Sequence, residues 1–185
     1  MRKGVLCFGS ICAALVALLC ACGDTTGSGE DSDYNAFTDR RDGNVYRVVT
    51  IGKQIWMAEN LRYDPGESLV NGKYWCLEDS AGTCKNGFLY SFYAVMNDSA
   101  CDDDGCSVVY PHQGLCPEGF HVPENYEWRE LTERAFLLDI PLGMASEFNA
   151  EPTGEYEYPF GNLHHDDFAR YWTSTPKRPD GAYEW

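Results

Sequence analysis

Apolar and polar positions along the chain mark one clear β-hairpin and one clear helix, separated by irregular stretches. Val45-Tyr46-Arg47-Val48-Val49-Thr50-Ile51 is a β-branched run of strand length. Gly52-Lys53 divides it from Gln54-Ile55-Trp56-Met57-Ala58, and a two-residue loop with glycine first is the chemistry of a tight hairpin turn. Trp56 is expected on the inner face of this hairpin, in the core. From Arg62 to Gly87 the pattern breaks at Pro65-Gly66 and Asn71-Gly72, then Phe88-Leu89-Tyr90 predicts a short strand. Ser91 is placed to cap a helical turn through Met96, and Asn97 to Gly114 reads as a second polar loop.

The strongest helical pattern follows Pro123. Trp128, Leu131, Ala135 and Leu138 recur on one face, Arg129, Glu130, Glu133 and Arg134 fall elsewhere, and Pro141 with Gly143 ends the element. Its N-cap falls to Glu124 or Asn125. Met144 to Ala169 shows no period and predicts a long loop; Tyr171-Trp172-Thr173-Ser174-Thr175 predicts a strand, and Ala182 to Trp185 the beginning of another. There is no internal repeat.

Residues 1–22 differ in kind. Arg2-Lys3 precedes an apolar run from Val5 to Leu19 and then small residues, the three parts of a secretory signal. Leu19-Cys20-Ala21-Cys22 resembles the lipobox of bacterial lipoproteins, a resemblance that implies cleavage before Cys22 and lipidation of its thiol. The alternatives are an ordinary cleaved signal or an uncleaved anchor. A lipid anchor on Cys22 would hold the protein to a membrane of the cell envelope, the outer membrane or cell surface being the expected place. Residues 23–41 are expected to be a flexible acidic tether, since Gly23 to Asp33 holds no apolar side chain. Residues 42–185 are expected to form one domain with a sizeable core.

Composition adds the setting. The formal charge is −15, and loss of Arg2 and Lys3 with the signal would take it to −17. A field of that sign repels phosphates and argues against nucleic acid as a partner. Twelve Tyr and five Trp among 18 Gly and nine Pro suit a loop-rich fold filled by large rings. Of nine cysteines, Cys7, Cys12 and Cys20 would leave with the signal and Cys22 would carry lipid. Cys76, Cys84, Cys101, Cys106 and Cys116 would then face an oxidising compartment. A bond between Cys76 and Cys84 would close a short loop and stabilise the fold by roughly 2 to 3 kcal/mol. Five is odd, so one thiol is free, pairs with another chain, or lacks a partner that lay beyond Trp185.

Catalytic and metal chemistry is thinly represented. Asp102-Asp103-Asp104-Gly105 gathers carboxylates but lacks EF-hand spacing, and His164-His165-Asp166-Asp167 offers adjacent ligands that rarely face one ion. Glu124-Asn125 only faintly resembles the Glu-Pro-Asn calcium motif of sugar-binding lectins. His121, between Phe120 and Val122, reads as a structural or surface histidine. No Gly-x-Ser-x-Gly or phosphate-loop motif occurs, so no catalytic residue, metal site or cofactor is expected.

Four pieces in order resemble the Fibrobacter succinogenes major paralogous domain family. They are Asp42 to Tyr46 with Ile51 to Leu61, Gly87 to Tyr90, Cys116 to Pro123 with Glu127-Trp128, and Tyr171 to Thr175. The third piece also resembles a segment of C-type lectin-like domains and of formylglycine-generating enzymes. The resemblance implies an α+β, C-type lectin-like fold with a small antiparallel sheet, one or two helices and a long irregular loop region. Members continue into a hairpin and a last strand bearing a cysteine; this implies a domain truncated at its C-terminus, with Cys116 as the unpaired cysteine. The expected function is a lipid-anchored surface protein that binds polysaccharide or another surface protein, with Tyr156, Tyr158, Phe160 and Tyr171 as candidate ligand-binding rings. The alternatives are a metal-dependent hydrolase on the same scaffold and a structural envelope component.

Overall fold

The computed structural model describes residues 7–9, 35–70, 72–76, 81–85, 87–102, 105–142, 148–150, 155–157, 162–164 and 170–175. The architecture is α+β. In chain order the strands are β1 Phe8–Gly9, β2 Asn35–Thr38, β3 Val45–Ile51, β4 Gln54–Met57, β5 Tyr74–Cys76, β6 Phe88–Tyr90, β7 Cys101–Asp102, β8 Gly105–Cys106, β9 Phe120–His121, β10 Glu155–Glu157 and β11 Asn162–His164. Two helices, α1 Phe92–Met96 and α2 Asn125–Leu138, and a 3-10 turn at Gly66–Ser68 complete the described elements.

The main sheet has five strands in the order β2-β3-β4-β1-β9, each neighbouring pair antiparallel. Its centre is the predicted hairpin. Ile51 lies opposite Gln54 across Gly52-Lys53, and Gly52 holds φ +64°, the positive angle that a two-residue turn of this kind needs at its first position. Phe37 on one edge strand and Phe120 on the other meet with ring centroids 4.8 Å apart, so the sheet curls its two edges toward each other.

The domain starts earlier than expected. β2 lies inside the stretch read as tether, and it pairs with β3 from Asn35–Val48 to Thr38–Val45. After it, buried Asp39 takes three bonds from the Arg41 guanidinium at 2.7 to 3.1 Å, while Arg41 also donates to the Leu115 carbonyl. These contacts fix the chain entering the hairpin against the segment before Cys116. Part of the expected long loop is also ordered into a hairpin: β10 pairs with β11 from Glu155–His164 to Glu157–Asn162.

α2 covers the hairpin. Trp128, Leu131 and Ala135 are buried, and full burial of a Leu side chain is worth about 1.5 to 3 kcal/mol. Trp128 sits 4.7 Å from Trp56 between ring centroids and stacks on Tyr171 at 5.5 Å, while Phe148 closes on Trp56 at 5.9 Å. Leu138, expected on the same face, is 55% exposed, and its neighbours Phe136 and Leu137 are more exposed still. The helix ends there: Asp139 turns left-handed at φ 54°, two residues before Pro141. The Arg134 stem lies over the Gly52 turn, so the last turn of α2 projects past the sheet that would have covered it.

Ser91 caps α1 as its position suggested, its hydroxyl accepting from the Ala94 N–H at 3.3 Å. Behind α1, Gly114 holds φ +53°, and a Cβ there would collide with the Val95 carbonyl oxygen. The Leu115 N–H donates to that same carbonyl at 2.9 Å, so the close approach fastens α1 to the segment leading into Cys116.

Candidate functional site

The start of α2 and strand β9 bring together Glu124, Asn125 and His121, three of the polar residues that the sequence singled out. Glu124 is the N-cap, and its backbone N–H donates to Glu127 Oε2 at 2.8 Å. The Asn125 N–H donates to the Thr175 hydroxyl at 2.8 Å, so a residue fifty positions away satisfies the first helical donor. Burial pushes the Glu124 carboxyl above its ordinary range, and the nearby Glu127 adds to the effect while His121 opposes it. The spacing Glu124-x-x-Glu127 was the signal that could have found this return contact, because a carboxylate at the third helical position is half of a capping box.

His121 is buried, not on the surface. Its Nε2 lies 3.0 Å from both oxygens of Glu127, and Glu127 is itself buried. Gln54 joins this group to the hairpin, its side-chain amide donating to the Glu127 carbonyl at 3.0 Å while its oxygen accepts from Trp56 Nε1 at 3.2 Å. Ser174 Oγ donates to the Val122 carbonyl and the Ser174 N–H to that of Pro123. These are bonds that tie helix, sheet and the Tyr171 to Thr175 segment together; the serine hydroxyl is aimed at backbone and not at a base, so the arrangement is one of positioning.

The ligand-ring proposals fare unevenly. Tyr171 is 4% exposed and stacked on Trp128, so it belongs to the core and presents no face to a ligand. The backbone of Tyr156 lies in β10 opposite Leu163. Tyr158 and Phe160 lie outside the described residues, as do Cys22, most of the tether, and the segment from His165 through Asp167. His164 falls in β11 and Asp102 in β7, while Asp103 and Asp104 lie outside. Among the described residues no group of His, Cys, Asp and Glu is arranged to hold a metal ion.

Among the described residues the cysteines pair three times. Cys76 joins Cys84 and Cys101 joins Cys106, each closing a short loop, the second across the β7–β8 hairpin where Cys101 and Cys106 are opposite. The third pair corrects the expectation that Cys116 is unpaired: Cys116 is bonded to Cys7, with Cα atoms 5.7 Å apart. The physical reason is β1. Phe8 lies opposite both Trp56 and His121, and Gly9 opposite both Ile55 and Phe120, so this two-residue strand fills the gap between β4 and β9. The Met57 N–H donates to the Cys7 carbonyl at 3.1 Å, which seats Cys7 beside Cys116. Both cysteines are fully buried. Sequence reasoning missed this role because residues 7–9 sit within a continuous apolar run and carry no strand period of their own.

Fold and site define a small, disulfide-stapled α+β domain whose polar groups are spent on joining helix to sheet. Residues 49–139 match the family described as the Fibrobacter succinogenes major domain, and this part of the chain is a domain of that family. Neither a curated protein nor a solved structure matches the chain.

Proposed function

We propose that this is a lipid-anchored bacterial envelope protein, held by Cys22 and displaying a C-type lectin-like binding domain toward polysaccharide or another surface protein. The observation that carries the reading is the pair of local disulfides, Cys76–Cys84 and Cys101–Cys106, because such bonds persist in oxidising compartments and are rare in a reducing cytosol. The signal-like residues 1–22 and the lipobox-like Leu19-Cys20-Ala21-Cys22 supply the route there. No helix among the described residues is long and apolar enough to cross a membrane, so anchorage in this reading rests on the lipid at Cys22. The acidic composition fits a neutral glycan or a protein surface better than a polyanion.

Growth of an expressing bacterium with an alkyne fatty acid tests the anchor. The wild-type chain is expected to carry the label and to sediment with membranes, and Cys22→Ser to lose both; a labelled Cys22→Ser chain would refute the assignment. For the binding half, pull-down on insoluble cellulose and a glycan array are expected to retain the domain. Retention no greater than that of an unrelated acidic lipoprotein would remove the carbohydrate version.

A further inference from the structure

Asn60 follows β4 in the run Ala58-Glu59-Asn60-Leu61, and its neighbours there each have a visible task. The Ala58 N–H donates to the Arg47 carbonyl at 2.8 Å and extends the hairpin by one rung. The Glu59 carboxylate takes Arg47 on one oxygen and Arg62 on the other, and Leu61 is buried in the core. Asn60 is 6% exposed, yet neither its amide oxygen nor its amide nitrogen meets a hydrogen-bond partner among the described residues. Burying an amide unpaired is costly, and a leucine of similar shape would avoid the cost if packing were the only task of this position.

The surroundings narrow what can pair with it. Gly87 packs against this stretch at φ +94°, a backbone angle that suits glycine. A Cβ on Gly87 would fall 3.1 Å from Asn60 Cβ and 2.9 Å from the Leu61 carbonyl oxygen, so both lie beside the same bare Cα. That carbonyl is lightly engaged. The Phe88 N–H reaches it at 3.3 Å, and the Tyr90 hydroxyl, 3.5 Å away, gives its single proton to the Tyr63 carbonyl at 2.6 Å instead.

We infer that the Asn60 amide is an internal hydration site: water accepts from its N–H and donates to its oxygen, with the Leu61 carbonyl beside the same glycine as a further acceptor. Water fits where other guests do not. An ion of either sign would meet a like partial charge at one end of the amide and would carry an unpaired charge into the interior. Buried waters, by contrast, characteristically bond about three polar groups that the protein leaves unmet. The bound water joins the end of the β3–β4 hairpin to the segment entering β6, which is fastened on its other side to the Cys76–Cys84 loop by the Gly87 N–H donating to the Cys84 carbonyl at 3.0 Å. None of residues 1–22 takes part, so the site is independent of whether they are cleaved.

NMR of the purified chain with its disulfides intact tests the site. Water is expected to show Overhauser contacts to the Asn60 Nδ2 protons of opposite sign in the laboratory and rotating frames, which separates a water tumbling with the protein from simple proton exchange. Asn60→Leu, which keeps the shape and removes both polar groups, is expected to lower the melting temperature by about 3 °C or more, because the water loses its main ligand. Absence of the water contacts in the wild-type chain would overturn the site, and so would an Asn60→Leu chain that melts at or above wild type. The first measurement needs no variant and decides even where the leucine chain does not fold.

Discussion

Asp39 shows how much one buried carboxylate does in this fold. Burial alone would raise its pKa, but the Arg41 side-chain and backbone hydrogen bonds and the Arg41 charge outweigh that and hold it below the ordinary carboxylate range. A depressed folded pKa contributes stability that is fully present above the unfolded value and is lost as pH falls through the folded one. Asp39→Asn is therefore expected to melt lower than wild type at neutral pH, by about 1.5 to 3 kcal/mol for loss of a charged hydrogen-bond partner. The gap should narrow as pH falls below the ordinary aspartate range, and a gap independent of pH would show that the Arg41 pairing is not its source. Tyr46 works in the opposite sense at high pH. Burial pushes its phenol up to about 12, even though the Arg62 N–H donates to the hydroxyl. Its stability contribution is full below the ordinary tyrosine range and is lost as pH climbs toward that value.

At the scale of elements, the ring stack of Trp56, Trp128 and Tyr171 is what clamps α2 to the hairpin. Trp128→Ala is expected to cost about 3 to 5 kcal/mol by chemical denaturation, since it opens a cavity at the centre of that stack. Gly114→Ala is expected to destabilise through a different cause, the collision with the Val95 carbonyl at positive φ, and the loss should separate α1 from the Cys116 segment. Amide exchange at Leu115 reads this directly, because its N–H is bonded to Val95; unchanged protection there would contradict the clamp. These are also the elements that were legible in the sequence. The β3–β4 hairpin declares itself through β-branched runs around a glycine turn, and α2 through apolar spacing, because both signals are local. β2 was not legible: Asn35-Ala36-Phe37-Thr38 has one large apolar residue and is exposed except at Phe37, so it reads as tether until its partner β3 is known. Leu138 fits the helical face by spacing, yet the sheet beneath it ends too soon. Tyr171 could not be assigned from sequence because a ring that packs and a ring that binds look alike; only its stacking on Trp128 decides.

For the whole molecule, the decisive question is what residues 1–22 become. As part of the fold they supply the strand between β4 and β9 and the partner of Cys116. As a leader they depart, and Cys116 loses Cys7 as its partner. The family match over residues 49–139 covers the end of β3, all of β4, both local disulfides and α2. A Cys7→Ser chain separates the two states by stability: no change in the melting of the purified protein is expected if the leader has gone, whereas a Cys7–Cys116 bond retained in the mature fold would make the substitution destabilising by about 2 to 5 kcal/mol.

Intact-mass analysis of the membrane-extracted, unreduced protein is the most direct measurement of all. The lipoprotein reading predicts a chain that begins at Cys22, bears acyl groups there, and retains the Cys76–Cys84 and Cys101–Cys106 bonds with Cys116 outside them. A chain that begins at Met1, unacylated and with Cys7 bonded to Cys116, would contradict it.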